Sequence, residues 1–479
     1  MTLKKQALSG VYWTFIQESS SQVISFIVSI ILARLLLPSE FGLIAMIGIF
    51  MGIGHTLIGS GLSQSLIRTE NPDDEDYSTV FIFNLVGSIV IYIFFYFLAP
   101  FIASFYNQDI LTSIIRVYCI TFIINAFSAI QIARLLKQLD FKTQLIVAIP
   151  SLIVSSITGI SMAYYGFGVW SLVWNTIAGT LVANIQLWYS TKWRPSLSFS
   201  KKKFKYHFNY GYKLTVSSLL DITFLNVYTI IIGRFFPLAQ VGYYNRAESL
   251  KQIPVSNITN IINKVTFPMF SSIQNDNIRL KNVYKQIMQM VIYIISPVLI
   301  FMGVLAEPLF RLLLTEKWLP AVPYFQILCF NGILYPIHSY NLNILKIKGR
   351  SDLYLKLEII KKILIVLVVG ITFQFGIYGL LYGSVFLSIL AFFINTYYSG
   401  KLINYNIWEQ TKDITPTIFI ALICGGIIFL FDFYIKNLIS YDILRLILGS
   451  LLGSLSFLGI TYMLKFDSLK EILLLIKKK

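Results

Sequence analysis

Charge is scarce in this chain. Only 13% of its 479 residues are Asp, Glu, Lys or Arg, against about 25% in a soluble domain. Long polar loops are missing too. The longest, Thr191–His207, is basic, and none is large enough to fold as a catalytic domain. No Walker A run, HExxH pair or GxSxG elbow occurs, which excludes a built-in ATPase, a zinc protease and an elbow-type serine hydrolase. The three cysteines, Cys119, Cys329 and Cys424, all fall in apolar stretches. They are read as free packing residues, so no disulfide framework, metal site or cofactor is expected.

What is present is apolar. Hydrophobic residues make up 56% of the chain and aromatics 15%, and mean hydropathy is +0.72. About fourteen apolar segments recur, near 11–36, 40–66, 78–103, 111–135, 143–165, 167–190, 210–235, 240–271, 286–310, 322–346, 354–375, 377–400, 414–435 and 442–464. A helix needs about 20 such residues to cross the hydrocarbon core. A lipid-exposed backbone must satisfy its own hydrogen bonds, so the segments are expected to be helices. The reading is an all-α polytopic membrane protein with fourteen transmembrane helices and no enzymatic activity.

The net charge of +17 invites a nucleic-acid reading, but its distribution argues against one. Lys and Arg gather in alternate loops: Arg134, Lys137 and Lys142; Lys192 to Lys205; Arg279, Lys281 and Lys285; Lys346, Lys348 and Arg350; Lys401 and Lys412; and the end from Lys465 to Lys479. This bias predicts both termini in the cytoplasm. Lys4 and Lys5 precede a retained first helix, not a cleaved signal peptide. The loop over 191–207 is expected to ride on anionic headgroups, and the tail over 467–479 to lie in the interface. The loop Asn71–Tyr77 is acidic, with Asp73, Asp74, Glu75 and Asp76, and contributes little to orientation.

A pattern repeats at an offset of about 200 residues. Gly10-Val11-Tyr12-Trp13-Thr14 is followed by Ala33-Arg34-Leu35-Leu36-Leu37-Pro38 and Phe41-Gly42. Gly211-Tyr212-Lys213-Leu214-Thr215 is followed by Gly233-Arg234-Phe235-Phe236-Pro237 and Val241-Gly242. The competing explanation is coincidence among apolar helices. A true repeat implies two six-helix bundles of like orientation, as in many transporters. The organisation expected is a first bundle over 1–190, a basic linker over 191–207, a second bundle over 208–400, an additional helix pair over 401–465 and a cytoplasmic tail over 466–479.

Ala33-Arg34-Leu35-Leu36-Leu37-Pro38-Ser39-Glu40-Phe41-Gly42 resembles the first hairpin of Wzx-type polysaccharide flippases, members of the multidrug/oligosaccharidyl-lipid/polysaccharide exporter superfamily. Val241-Gly242-Tyr243-Tyr244-Asn245-Arg246-Ala247, Glu316-Lys317-Trp318 and Gly349-Arg350-Ser351-Asp352-Leu353 resemble further signatures of that family, in the same order. Ile347 departs from the small residue often found before the Gly-Arg. The resemblance implies a bacterial cytoplasmic-membrane protein that moves an undecaprenyl-diphosphate-linked oligosaccharide to the outer leaflet for O-antigen or capsule export. It implies two bundles forming a V around a central cavity, with the last helix pair lining a groove for the lipid tail. Expected partners are the lipid-linked substrate, membrane lipids, a polysaccharide polymerase and glycosyltransferases, with a monomer as the working unit. The alternatives are a drug antiporter of the same superfamily and a membrane-embedded oligosaccharide polymerase.

A charge at the bilayer centre costs about 2.5–3.5 kcal/mol on insertion scales, so intramembrane charges mark candidate sites. Glu18 and Asp221 lie at comparable depth in segments one and seven; each is either an ion-coupling group or one half of a structural pair. Arg246, Lys251 and Lys264 on segment eight are candidates for binding a diphosphate, since Arg can contact phosphate oxygens in bidentate fashion. Glu248 neutralises a neighbour. Arg116, like Arg34 and Arg234, lies within about two turns of the outer surface, where snorkelling competes with substrate contact. His55 is a candidate for ion coupling and His338 for substrate binding; a lone histidine in a helix is otherwise a packing residue. Gly48 and Gly52, and Gly449 and Gly453, permit close helix contact. Pro254, Pro268, Pro297 and Pro336 are candidate kinks.

Overall fold

The computed structural model describes residues 3–439 and 441–477. Lys478 and Lys479 lie outside the described residues, as do the side chains of Lys4, Lys5, Ile472, Leu473 and Ile476. Every regular element described is helical. The order begins with α1 (Leu3–Leu35), α2 (Pro38–His55), a π-helical turn (Thr56–Ser60) and α3 (Gly61–Arg68). Next come α4 (Asp74–Tyr106), α5 (Ile110–Tyr118), α6 (Ile120–Lys137), α7 (Phe141–Tyr164), α8 (Trp170–Ser190), α9 (Lys201–Leu225) and α10 (Val227–Phe235). Then follow α11 (Leu238–Ser272), α12 (Asn277–Val304), α13 (Ala306–Leu314), α14 (Val322–Ile333), α15 (Tyr335–Ile347) and α16 (Ser351–Thr372). The order closes with α17 (Gly376–Ile403), α18 (Ile407–Ile435), α19 (Asp442–Met463) and the tail helix α20 (Asp467–Lys477).

Nine helices among the described residues are long and apolar enough to cross a membrane, or ten if α9 and α10, bent by 47° where they meet, form one span. Ser351–Ile403 counts once in that set although it holds two expected segments. The expected segments at 167–190, 240–271 and 322–346 are helical but fall outside it.

Local chemistry explains the helix ends. Pro38 opens α2, where its missing N–H costs nothing, and the Leu37 amide donates to Glu40 Oε2 at 2.6 Å. Asp73 and Asp76 form a reciprocal capping box at the start of α4, with bonds of 2.8 and 3.0 Å. Asn107 and Asn404 close α4 and α17 in the left-handed region. Pro336 sits at the start of α15 just after the break at Leu334, whereas Pro254, Pro268 and Pro297 lie inside α11 and α12.

Side chains are sorted as lipid demands. In α4 the exposed stripe is large and apolar, with Val90, Phe94, Phe97 and Phe101. The buried face carries Ser78, Thr79, Asn84, Ser88 and Ala99. Lipid tails are as apolar as leucine, so close packing and hydrogen bonds hold such helices together, not apolar burial.

The chain divides into two compact units, Met1–Gly242 and Tyr243–Lys479. In the first, α7 pairs with α8: Asn175 donates to the Ser155 carbonyl at 2.8 Å, and a methyl on Gly179 would lie 2.9 Å from Ser155 Cβ. Helix α9 also packs in this unit, against α2 and α3. In the second unit α12 is flanked by α14 and α18. A methyl on Gly425 would meet Ile300 at 2.7 Å, and one on Gly449 would meet Leu305 at 2.9 Å, so small residues set α18 and α19 close to their neighbours. Gly453 faces Ile428 and Phe301, and Gly52 faces Ile222 at 3.1 Å, but Gly48 faces open space. The pairing role expected of Gly48 is therefore not realised.

Candidate functional site

In the second unit, α11 carries the cations that stood out in the sequence. Arg246 is 7% exposed, with its guanidinium 5.9 Å from the ring centre of Trp318. Trp318 is fully buried, and Tyr243 packs on it edge-on at 6.2 Å. The Gly-Tyr-Tyr-Asn-Arg-Ala and Glu-Lys-Trp motifs, some 70 residues apart, thus meet as one cation–aromatic cluster. Lys251 is 4% exposed and ion-paired with Glu248 at 2.6 Å. It passes beside Gly332, where a methyl would meet its Cδ at 2.9 Å. Lys264 is exposed.

A polar strip follows along α11, α14, α15 and α17. Asn263 donates to Ser339 Oγ at 2.8 Å and accepts from Asn343 at 3.0 Å. His338 Nε2 lies 3.2 Å from Ser388 Oγ; Ser388 donates to the Asn331 carbonyl at 3.2 Å, and Asn331 donates to Ser384 at 3.0 Å. Asn263, Asn331, His338 and Ser339 are all half-buried. Sequence reasoning missed the next members, Glu358 and Lys361, which pair one turn apart on α16. Their side chains keep 24% and 19% exposure. The signal was available: Glu358, Lys361 and Lys362 interrupt an apolar helix as Glu18 does. The strip offers amide and hydroxyl hydrogen bonds beside cations, which suits a polyhydroxylated anion.

In the first unit the candidates are held separately. Arg116 donates from Nε to the Tyr96 carbonyl at 3.3 Å, with its guanidinium 4.3 Å from the Tyr96 ring centre. His55 Nδ1 lies 3.4 Å from Asn125 Nδ2, and its ring packs on Phe122 at 5.1 Å. Glu18 and Asp221 are exposed on α1 and α9. Gly42 and Gly242, which hold matching places in the recurring sequence pattern, come together: a methyl on Gly42 would lie 3.3 Å from the Gly242 amide nitrogen, and one on Gly242 would lie 2.7 Å from the Pro38 carbonyl carbon.

The third histidine, His207, drew no notice as a site in the sequence, yet it is fully buried and bonded through both ring nitrogens to Ser65 and Asp76. Nearby, Lys203 meets Asp73, Glu75 and Asp76. The Lys203 ammonium holds the Asp73 carboxyl down at about 2.

These features define a polytopic, all-helical membrane protein. A model of the family described as "polysaccharide biosynthesis protein" matches residues 31–323, well over half of the chain, and the chain belongs to that family. It is 26% identical to the teichuronic acid biosynthesis protein TuaB of Bacillus subtilis (strain 168) over 362 residues, 74% of this chain and 73% of TuaB. It is 24% identical to the lipopolysaccharide biosynthesis protein WzxC of Escherichia coli (strain K12) over 372 residues, 76% and 75% of the two chains. Among solved structures, the fold matches the lipid II flippase MurJ in an inward closed conformation with a TM-score of 0.74. That match has 14% identity and covers 94% of this chain and 100% of MurJ.

Proposed function

We propose that this protein is a flippase that moves undecaprenyl-diphosphate-linked oligosaccharide units across the bacterial cytoplasmic membrane by alternating access. The observation that carries the reading is Arg246, a buried arginine set against Trp318 inside a long helix of a polysaccharide-biosynthesis family member. A diphosphate leaving water needs charge-assisted donors, and Lys251, Lys264, Arg116 and His338 are the further candidates, now joined by Lys361. Glu18, Asp221 and His55 are the candidates for ion coupling. The working topology is fourteen spans in two six-helix bundles plus the pair α18–α19, with both termini cytoplasmic. A cationic-drug antiporter would favour acidic groups where α11 places Arg246 and Lys251.

The test is Arg246→Ala. A charge-assisted hydrogen bond contributes about 1.5–3 kcal/mol, so surface-glycan export should fall about 10- to 100-fold while membrane abundance stays near normal. Arg246→Lys keeps the charge but loses the planar fork and should retain partial export. Normal export by Arg246→Ala, or loss of the protein itself, would make Arg246 structural.

A further inference from the structure

The contact of α9 with α3 and with the start of α4 is built in steps of one helical turn. On α9, Lys203, His207 and Gly211 follow one another four residues apart and share a face. Opposite them stand Gly61, Ser65 and the carboxylates that cap α4. At the first step two glycines meet: a methyl on Gly211 would lie 2.8 Å from the Gly61 carbonyl carbon. At the second, His207 Nδ1 lies 2.9 Å from Ser65 Oγ and Nε2 lies 3.1 Å from Asp76 Oδ1. With the ring proton on Nε2, the imidazole donates to Asp76 and accepts from the Ser65 hydroxyl, so both nitrogens are satisfied. At the third, Lys203 contacts Asp73, lies 2.8 Å from Glu75 and 3.8 Å from Asp76.

At its other end, α3 is joined to α2 by the π-helical turn Thr56–Ser60. Such turns recur at functional sites, and insertions into the helical bond pattern are recognised causes of kinks. The eight-residue α3 therefore has a weak joint at its start and two clasps on α9, at Gly61 and Ser65, while Lys203 ties α9 to the start of α4 just past the link 69–73. The outermost of these contacts is also reversible. Asp73, 61% exposed, and Lys203, 23% exposed, stand where water can take over their hydrogen bonds, which the hydrocarbon core would not allow.

We propose that α3 is a latch on the cytoplasmic end of the first unit. Once Lys203 lets go of the start of α4, the latch swings about the Thr56–Ser60 turn, releasing Gly211 and His207, to admit the headgroup of the lipid-linked substrate, and it reseats to close the entrance. The proposal rests on the flippase reading for its purpose and on the charge-derived topology for its side of the membrane.

The experiment keeps the two readings apart by measuring exposure without substrate. Cys329 and Cys424 are replaced by serine, Ser65→Cys is introduced, and inverted membrane vesicles are treated with a membrane-impermeant maleimide. Native Cys119, fully buried in the same unit, reports unfolding. Labelling at position 65 should be slow. Adding Lys203→Ala should raise its rate about tenfold with Cys119 still protected, and Lys203→Arg should stay near the starting rate. An unchanged rate in Lys203→Ala overturns the latch. So does simultaneous labelling of Cys119, because the seam would then be a support of the fold. In a second arm, Ser65→Cys with His207→Cys is bridged by a short bis-maleimide in cells. Bridging should abolish surface-glycan export while the same reagent leaves each single-cysteine variant at its untreated level; continued export by the bridged protein also overturns the latch. If no variant or parent chain exports any glycan while the labelling pattern holds, the flippase reading fails and the latch stands.

Discussion

The α3–α9 seam and the polar strip of the second unit both hold ionisable side chains in a chain with few of them, and they hold them differently. In the seam the charges sit at helix ends. Lys203 meets three carboxylates and His207 uses both nitrogens. The capping box that starts α4 doubles as the receptor for α9. In the second unit the charges sit inside helices. Arg246 lies against an indole, Lys251 has one glutamate a turn away, and Lys361 has another. A charge near water can be kept for structure at little cost. One deep in an apolar helix costs several kcal/mol and calls for a functional return. Both regions bury charge, and they differ in its depth.

This contrast can be broken at several points. The largest expected effect is all or none: a cysteine replacing Lys202, at the start of α9, should react with an impermeant thiol reagent in inverted vesicles and not from outside intact cells. Ready labelling from outside would put the seam on the wrong face. Next, Lys361→Leu should leave Glu358 uncompensated inside α16 and lower thermal stability in detergent by about 3 kcal/mol. The double change Glu358→Gln with Lys361→Met should recover most of that stability; recovery of export as well would remove Lys361 from the proposed substrate contacts. Gly211→Val should cost about 1–3 kcal/mol, because its added carbons must displace the Gly61 backbone. The same stability measurement checks it, and a neutral result would mean the helices part without cost. Asp73→Asn is expected to be mildest. Asparagine still caps α4, and an exposed ion pair contributes at most about 1 kcal/mol.

Much of the helical scaffold was legible. Each expected apolar segment lies on helix, and the structure turns where the sequence supplied turn chemistry, as at Leu37–Pro38 and at the positive-φ glycines Gly166, Gly168 and Gly376. Some interruptions carried a signal: Gly54, Gly59 and Gly61 cluster at the Thr56–Ser60 turn, and Pro336 follows the break at Leu334. The breaks at Cys119 and Asn226 carried none, for they fall in stretches without a proline. The rule that intramembrane charge marks function pointed to Arg246 and Lys251, which the structure buries, but was not applied to Glu358 and Lys361. His207 looked like the end of a basic loop; its partners lie 142 and 131 residues away.

The sequence alone determined that this chain would be a set of membrane helices, roughly where each would run and where several would be capped. Those properties follow from length, hydropathy and local hydrogen bonding, which act within a few residues. Only the tertiary structure decided which face of each helix meets another. In water an apolar stripe announces the buried face, but in lipid both faces of a span are apolar and the stripe loses its meaning. Small and polar residues then choose the contacts, and their partners are far away in the chain. The joining of Arg246 to Trp318, Gly61 to Gly211 and His207 to Asp76 therefore had to come from the fold.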